Sequence, residues 1–135
     1  GGVDTKKKIL DLLIQSIDSE KPIDLSPGDQ VLDFIHINDV VEFYISLVNQ
    51  KEHIKNASIL KLGTGKGHSL KEVAGIIETI TLRKSKINWG GKSYRNSDVK
   101  YAVANNSDNY QILKWKPKIP LEKGIRKLLN INKHE

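Results

Sequence analysis

The apolar positions of this chain fall into short stripes at helical spacing, separated by brief β-branched runs. Across residues 6–19 they are Ile9, Leu10, Leu13, Ile14 and Ile17 with lysines opposite, which predicts an amphipathic helix. Pro22 ends it, and Ser26-Pro27-Gly28-Asp29 is turn chemistry. Residues 31–37 are β-branched and aromatic and predict a largely buried strand. A helix is predicted over 39–49, capped by Asp39, with Val40, Phe43, Tyr44, Leu47 and Val48 inward. Residues 59–62 read as a short strand running into Gly63-Thr64-Gly65-Lys66-Gly67. Ser69 and Glu72 then form a capping box, each satisfying a free backbone donor of the other's turn. The helix they open is expected to bury Leu70, Val73, Ala74, Ile77 and Ile80. An edge strand is predicted at 86–89 and a short helix from a Ser107 cap to Leu113. A last helix carries Leu121, Ile125, Leu128 and Leu129. The class is α/β, helix-rich with a few short strands, and without a complete βαβαβ half.

A length of 135 residues predicts one domain, residues 1–135, with enough chain for a core. No apolar run approaches the ~18 residues of a membrane-spanning helix. Nor does the chain open on a secretory signal, so the expected setting is the cytoplasm. The lack of cysteine excludes disulfides, a thiolate nucleophile and a cysteine zinc site. The chain also lacks methionine and begins Gly1-Gly2, which reads as a processed chain or a piece of a longer one, Gly1-Gly2 fitting an expression scar. Its net charge is +6, yet only Arg83, Arg95 and Arg126 of its 22 basic residues are arginine. Arginine supplies the planar fork that reads phosphates and base edges, so a solvated lysine surface is favoured over a nucleic-acid footprint.

Three groups of residues invite a chemical reading. The glycine cluster follows a predicted strand and precedes a helix N-terminus, where phosphate can bind. Its spacing is G-x-G-x-G, however, and it matches neither nucleotide-binding fingerprint. A structural turn is therefore favoured over a phosphate cradle. The four histidines, His36, His53, His68 and His134, lack the spacing of a helical metal site. His36 is expected to be packed and hydrogen-bonded, and Asp39 to be a cap and not a general base. Third, Tyr94-Arg95-Asn96-Ser97-Asp98 sets an arginine three residues before an aspartate in a polar loop. The guanidinium suits a diphosphate and the carboxylate suits ribose hydroxyls. Spacing alone fits a surface ion pair equally well.

The order of segments is similar to that of the extended short-chain dehydrogenases/reductases, the NAD(P)-dependent nucleotide-sugar epimerases, dehydratases and reductases. Asp33-Phe34-Ile35-His36-Ile37-Asn38-Asp39-Val40-Val41 resembles their RDFIHVDDVV block. LGTGKGHSLKEVAGII resembles their NLGTGxGxSLxEVAxxI segment. YRNSDVKYAVANNSDNYQILKWKPKIPLEKGIRKLL resembles their closing pattern. The resemblance covers nearly the whole chain and implies the C-terminal, nucleotide-sugar-binding part of such an enzyme.

By the same resemblance, Arg95 matches the arginine on the nucleotide phosphates and Asp98 the acidic residue on the ribose. Residues 21–25 lie where the family's chain passes the base through backbone groups, which makes Ile23 and Leu25 candidate contacts. Leu32 stands where the family often has a second phosphate-binding arginine. Asn105 replaces an aspartate, and Lys114 replaces a glycine before Trp115. The family's TGxxGxxG fingerprint and its catalytic YxxxK belong to the N-terminal half. This chain is expected to contribute no catalytic residue, no metal site and no contact to NAD or NADP. Within the family INWGGKSYRNSDV most resembles the enzymes of CDP- or dTDP-linked deoxyhexoses, so the expected partners are such a nucleotide-sugar and the N-terminal Rossmann half, with self-association through exposed apolar faces. The alternative is a stand-alone, non-catalytic module that binds a nucleotide or polyanion.

Overall fold

A computed structural model describes residues 8–56 and 58–130. Length predicts one domain, and the chain divides into two compact units, each drawn from two stretches of sequence. The first comprises the residues up to 32 with 68–101, the second 33–67 with the residues from 102 onward. Lys6, Lys7, Gly1, Gly2 and His134 lie outside the described residues.

The first unit is built on two helices, α1 (Ile9–Asp18) and α3 (Leu70–Thr81), packed together. Leu13 and Ile17 from α1 meet a core to which α3 contributes Leu70, Val73, Ala74, Ile77 and Ile80, all buried as their spacing predicts. Both halves of the capping box form. Glu72 N–H donates to Ser69 Oγ at 3.1 Å, and Ser69 N–H to Glu72 Oε2 at 2.6 Å. The bonds from the Ser69 backbone and side chain hold the Glu72 carboxyl below its usual range. Beside the helices, β1 (Ile23–Leu25) runs parallel to β4 (Ile87–Trp89), pairing Ile23 with Ile87 and Leu25 with Trp89.

The α3–β4 connection is held by Glu78. One carboxylate oxygen accepts from Ser85 N–H at 3.0 Å and Ser85 Oγ at 2.6 Å, and the other from Lys84 Nζ at 2.8 Å. The Lys84 bond, then that from the Ser85 hydroxyl, lowers its pKa from 4.5 to about 2. A carboxylate with a depressed folded-state pKa contributes stability above its unfolded value and loses it as pH falls through the folded one. Wild-type unfolding free energy is therefore expected to fall between pH 4.5 and about 2. Glu78→Gln should flatten that slope, read by urea denaturation at a series of pH values.

In the second unit, α2 (Ile37–Asn49) and α4 (Ser107–Leu113) meet at a core of Phe43, Leu113 and Trp115, and α5 (Leu121–Leu128) follows with Ile125 buried. Phe43 meets Trp115 edge-on, ring centroids 5.0 Å apart. Three short strands, β2 (Val31–Asp33), β3 (Gly67–Ser69) and β5 (Tyr101–Ala102), pair in the order β3-β2-β5.

Several local expectations are corrected. The strand predicted over 31–37 ends at Asp33, and its residues are half-buried. Helix α2 starts at Ile37 because His36, not Asp39, caps it: Asn38 N–H donates to His36 Nδ1 at 3.1 Å. Of the predicted inner face, Phe43 is buried and Leu47 packs on the core, but Tyr44 and Val48 are 59% and 71% exposed. Asn106, not Ser107, holds the cap position of α4. In α5, Ile125 is buried while Leu128 is half exposed.

Residues 59–62 pair with no strand among the described residues. Leu60 and Leu62 pack toward the core and Ile59 is 86% exposed.

Lys114 closes α4 in the left-handed conformation, φ 53° and ψ 27°, its N–H donating to Tyr110 O. A side chain there carries the steric cost of a Cβ that glycine avoids. Lys114 is exposed, so Lys114→Gly is expected to stabilise the protein by about 1 kcal/mol, measured by urea unfolding. The resemblance that expects glycine before Trp115 thus has a backbone reason.

Candidate functional site

The glycine cluster is a turn closed around a carboxylate of the chain itself. Asp33 accepts N–H bonds from Thr64 at 2.9 and 3.0 Å, Gly65 at 2.9 Å and Ala104 at 3.2 Å, together with the Thr64 hydroxyl at 2.5 Å. The donors that could have cradled a phosphate therefore grip an internal anion. A Cβ at Gly63 would overlap both Asp33 and Ala104, so this approach requires glycine. The structural reading of G-x-G-x-G is the one observed, and the loop as it stands does not fit the pyrophosphate of a dinucleotide.

Asp39 is 2% exposed and accepts the N–H groups of Lys118 and Ile119, each at 3.0 Å. It is a buried tie to the segment before α5, and not the cap of α2. His36 is hydrogen-bonded through its cap and lies beside Gly124 of α5, the packed histidine that its position predicts. Among the described residues no group of three His, Cys, Asp or Glu side chains could hold a metal ion. No described helix is long and apolar enough to cross a membrane.

One Tyr-x-x-x-Lys spacing does occur, Tyr110 to Lys114, against the expectation that the chain offers no catalytic tyrosine–lysine pair. Such a pair works by sharing a helix face at i and i+4. Here Lys114 has left the helical path for the left-handed region, and the spacing marks only the end of α4. Tyr110 lies in a shallow groove with Asn106, Trp115 and Lys116.

The loop carrying Arg95 is tied to the first unit along its length. Leu25 O accepts from Gly90 N–H at 3.0 Å and Lys92 N–H at 3.1 Å. Tyr94 Oη accepts from Asp29 N–H at 3.2 Å, and Val31 N–H donates to Lys100 O at 2.9 Å. Asn88 Nδ2 donates to Asp24 Oδ1 at 2.7 Å, and a Cβ at Gly91 would overlap that pair. A Cβ at Gly28 would enter the Trp89 ring. These contacts couple β1 and the turn after it to the loop 90–100.

Within the loop, Asp98 Oδ2 accepts from Arg95 N–H at 2.8 Å, and Asp98 N–H donates to Arg95 O at 3.0 Å. The pair is thus a backbone turn and not a surface ion pair. Arg95 is exposed, and among the described residues no carboxylate lies within ion-pair distance of its guanidinium. Asp98 keeps its second oxygen as an acceptor at a fixed position.

The candidates on β1 are placed beside this loop with their backbone groups already engaged. Ile23 N–H donates to Lys86 O at 2.9 Å, Leu25 O takes two donors, and the Leu25 side chain is buried. By strand alternation it is Asp24 whose N–H and C=O face away from β4. Sequence reasoning missed the Tyr94–Asp29 clamp and the Asp24–Asn88 pair, which join residues 65 and 64 positions apart. The small Gly90-Gly91 step after Trp89 was the available signal.

No protein-family model matches the chain. It is 33% identical to the CDP-abequose synthase of Salmonella muenchen over 131 residues, 97% of this chain and 44% of that protein. It is 32% identical to a UDP-glucose 4-epimerase of Rhizobium leguminosarum bv. trifolii over 99 residues, 73% of this chain and 30% of the relative. Its fold matches a UDP-glucose-4-epimerase from Stenotrophomonas maltophila, solved with bound NAD and formylated UDP-arabinopyranose. That match has a TM-score of 0.81 at 21% identity and covers 96% of this chain and 40% of the other. The chain belongs to the extended short-chain dehydrogenase/reductase family and corresponds to its C-terminal part. It spans less than half the length of these relatives.

Proposed function

We propose that this chain is the substrate-gripping C-terminal part of a cytoplasmic, NAD(P)-dependent nucleotide-sugar epimerase, dehydratase or reductase acting on a CDP- or dTDP-linked deoxyhexose. The observation that carries this reading is the Arg95–Asp98 turn, held to β1 and the following turn by backbone and tyrosine hydrogen bonds. Among the described residues it leaves the guanidinium without a carboxylate and one carboxylate oxygen without a donor. That is the equipment for a nucleoside diphosphate: the guanidinium takes phosphate oxygens and the Asp98 oxygen accepts from ribose hydroxyls. The base would lie along the open edge of β1, where Asp24 presents its backbone groups, with Ile23 and Leu25 setting that edge by pairing with β4. Anchoring the nucleotide fixes where the sugar stands relative to a hydride donor or acceptor.

The nicotinamide cofactor would supply hydride chemistry from the preceding half of the polypeptide. The glycine loop here is filled by Asp33, so none of this chain's residues is assigned to the cofactor. That preceding half would also cover the exposed stripe of Ile37, Val41, Tyr44, Ile45 and Val48 on α2. The polyanion-module alternative is not favoured, because the relatives that match this chain are a CDP-abequose synthase and UDP-glucose 4-epimerases.

The test is Arg95→Ala in the full-length enzyme. KM for the nucleotide-sugar is expected to rise about 10-fold or more while KM for NAD(P) stays within about 2-fold. Equal effects on both would remove Arg95 from the substrate site.

A further inference from the structure

The diphosphate of a nucleotide-sugar carries two negative charges, one on the non-bridging oxygens of each phosphoryl group, and Arg95 answers one of them. Among the other cations of the first unit near this loop in sequence or hydrogen bonding, Lys71 is already neutralised by Asp29, Nζ to Oδ1 2.8 Å. Lys92 joins the site through its backbone N–H on Leu25, and no ring or carboxylate holds its ammonium among the described residues. Lys100 differs. Its Nζ sits 5.5 Å from the centroid of the Tyr94 ring, within cation–π range, on the residue next to Arg95.

The ring is itself fixed by the bond from Asp29 N–H to Tyr94 Oη, and the Lys100 backbone by the bond from Val31 N–H. Lys100 thus lies across from Val31-Leu32, an apolar stretch with no cation of its own. No carboxylate among the described residues pairs with the Lys100 ammonium. Among the described residues, Arg95 inside the turn and Lys100 two positions beyond it are thus both without a carboxylate partner, and Asp98 engages one oxygen with the Arg95 backbone.

We propose that Lys100 is the second phosphate-binding cation of this site, steered to the diphosphate by the Tyr94 ring. The inference rests on the nucleotide-sugar reading above. Lysine serves as a point charge and not a fork, so its contribution should depend on charge and on the number of phosphates.

The experiment compares full-length wild type, Lys100→Met, Lys100→Arg and Arg95→Ala for affinity toward CDP, CMP and cytidine. The thymidine set replaces these if the enzyme prefers it. Lys100→Met is expected to weaken CDP about 10-fold, CMP less, and cytidine by under about 2-fold, with Lys100→Arg recovering most of the loss. Should Arg95→Ala weaken CDP while Lys100→Met does not, Lys100 is no phosphate ligand and the site reading survives. Equal weakening of all three probes would mean that Lys100 only shapes the loop, and the proposal falls. If neither variant changes CDP affinity, the nucleotide reading itself fails and takes this inference with it.

Discussion

Asp33→Ala is expected to destabilise the second unit by about 3 kcal/mol, because it strips one acceptor group from three backbone N–H donors at once. Thr64, Gly65 and Ala104 all donate to that carboxylate, and the Thr64 hydroxyl adds a fourth bond. Donors to a charged acceptor make stronger bonds than those to a neutral one, and a methyl group satisfies none of them. Each unit carries one tryptophan, Trp89 in the first and Trp115 in the second. In a Trp89→Phe background, urea unfolding followed by Trp115 fluorescence would isolate the effect. Amide exchange at Thr64, Gly65 and Ala104 should accelerate together. A loss under about 1 kcal/mol would mean that water takes over the three donors, and that the glycine turn holds itself.

The second large effect is at Asp39. Removing a carboxylate that is 2% exposed and accepts from Lys118 and Ile119 strips two part-buried N–H groups of their acceptor. Asp39→Ala is expected to cost about 3 kcal/mol or more, and Asp39→Asn about half that, since the amide keeps one acceptor oxygen and sets an NH₂ against the other donor. The same Trp115 signal reads both. The two variants would separate the loss of charge from the loss of shape. If instead Asp39 acted as a helix cap, the alanine variant would lose only about 1 kcal/mol, with no change in exchange at Lys118 and Ile119.

These two aspartates show where sequence reading stopped. Each has a local role that residue type alone suggests: Asp39 as a helix cap, Asp33 as one polar position in a strand. Their partners lie 31 and 71 residues away for Asp33, 79 and 80 for Asp39. No window of the sequence contains both ends of such a bond. Helix α3, by contrast, was read in full. Its cap and its core stripe both depend on partners three or four residues apart. The misreading of α2 has the same origin. All of its apolar residues look alike in sequence, and only the packing of Phe43 on Leu113 and Trp115 decides which face turns inward.

The candidate site divides along the same line. Arg95 and Asp98, three residues apart, were legible as a polar-loop pair that spacing alone left open between a ligand site and a surface ion pair, and the segment order was legible as similar to that of nucleotide-sugar enzymes. What the turn is fastened to was not. The parallel pairing of β1 with β4, the clamp of Tyr94 on Asp29 and the seat of Lys100 over Tyr94 follow from the tertiary structure alone. The sequence by itself determined the α/β class, the segment order and the capping box and buried stripe of α3. The tertiary structure decided which carboxylates fill which donors and which cations stay free. The physical reason is that a hydrogen bond or an ion pair selects its partner by distance in space, while propensity and periodicity act only between neighbours along the chain.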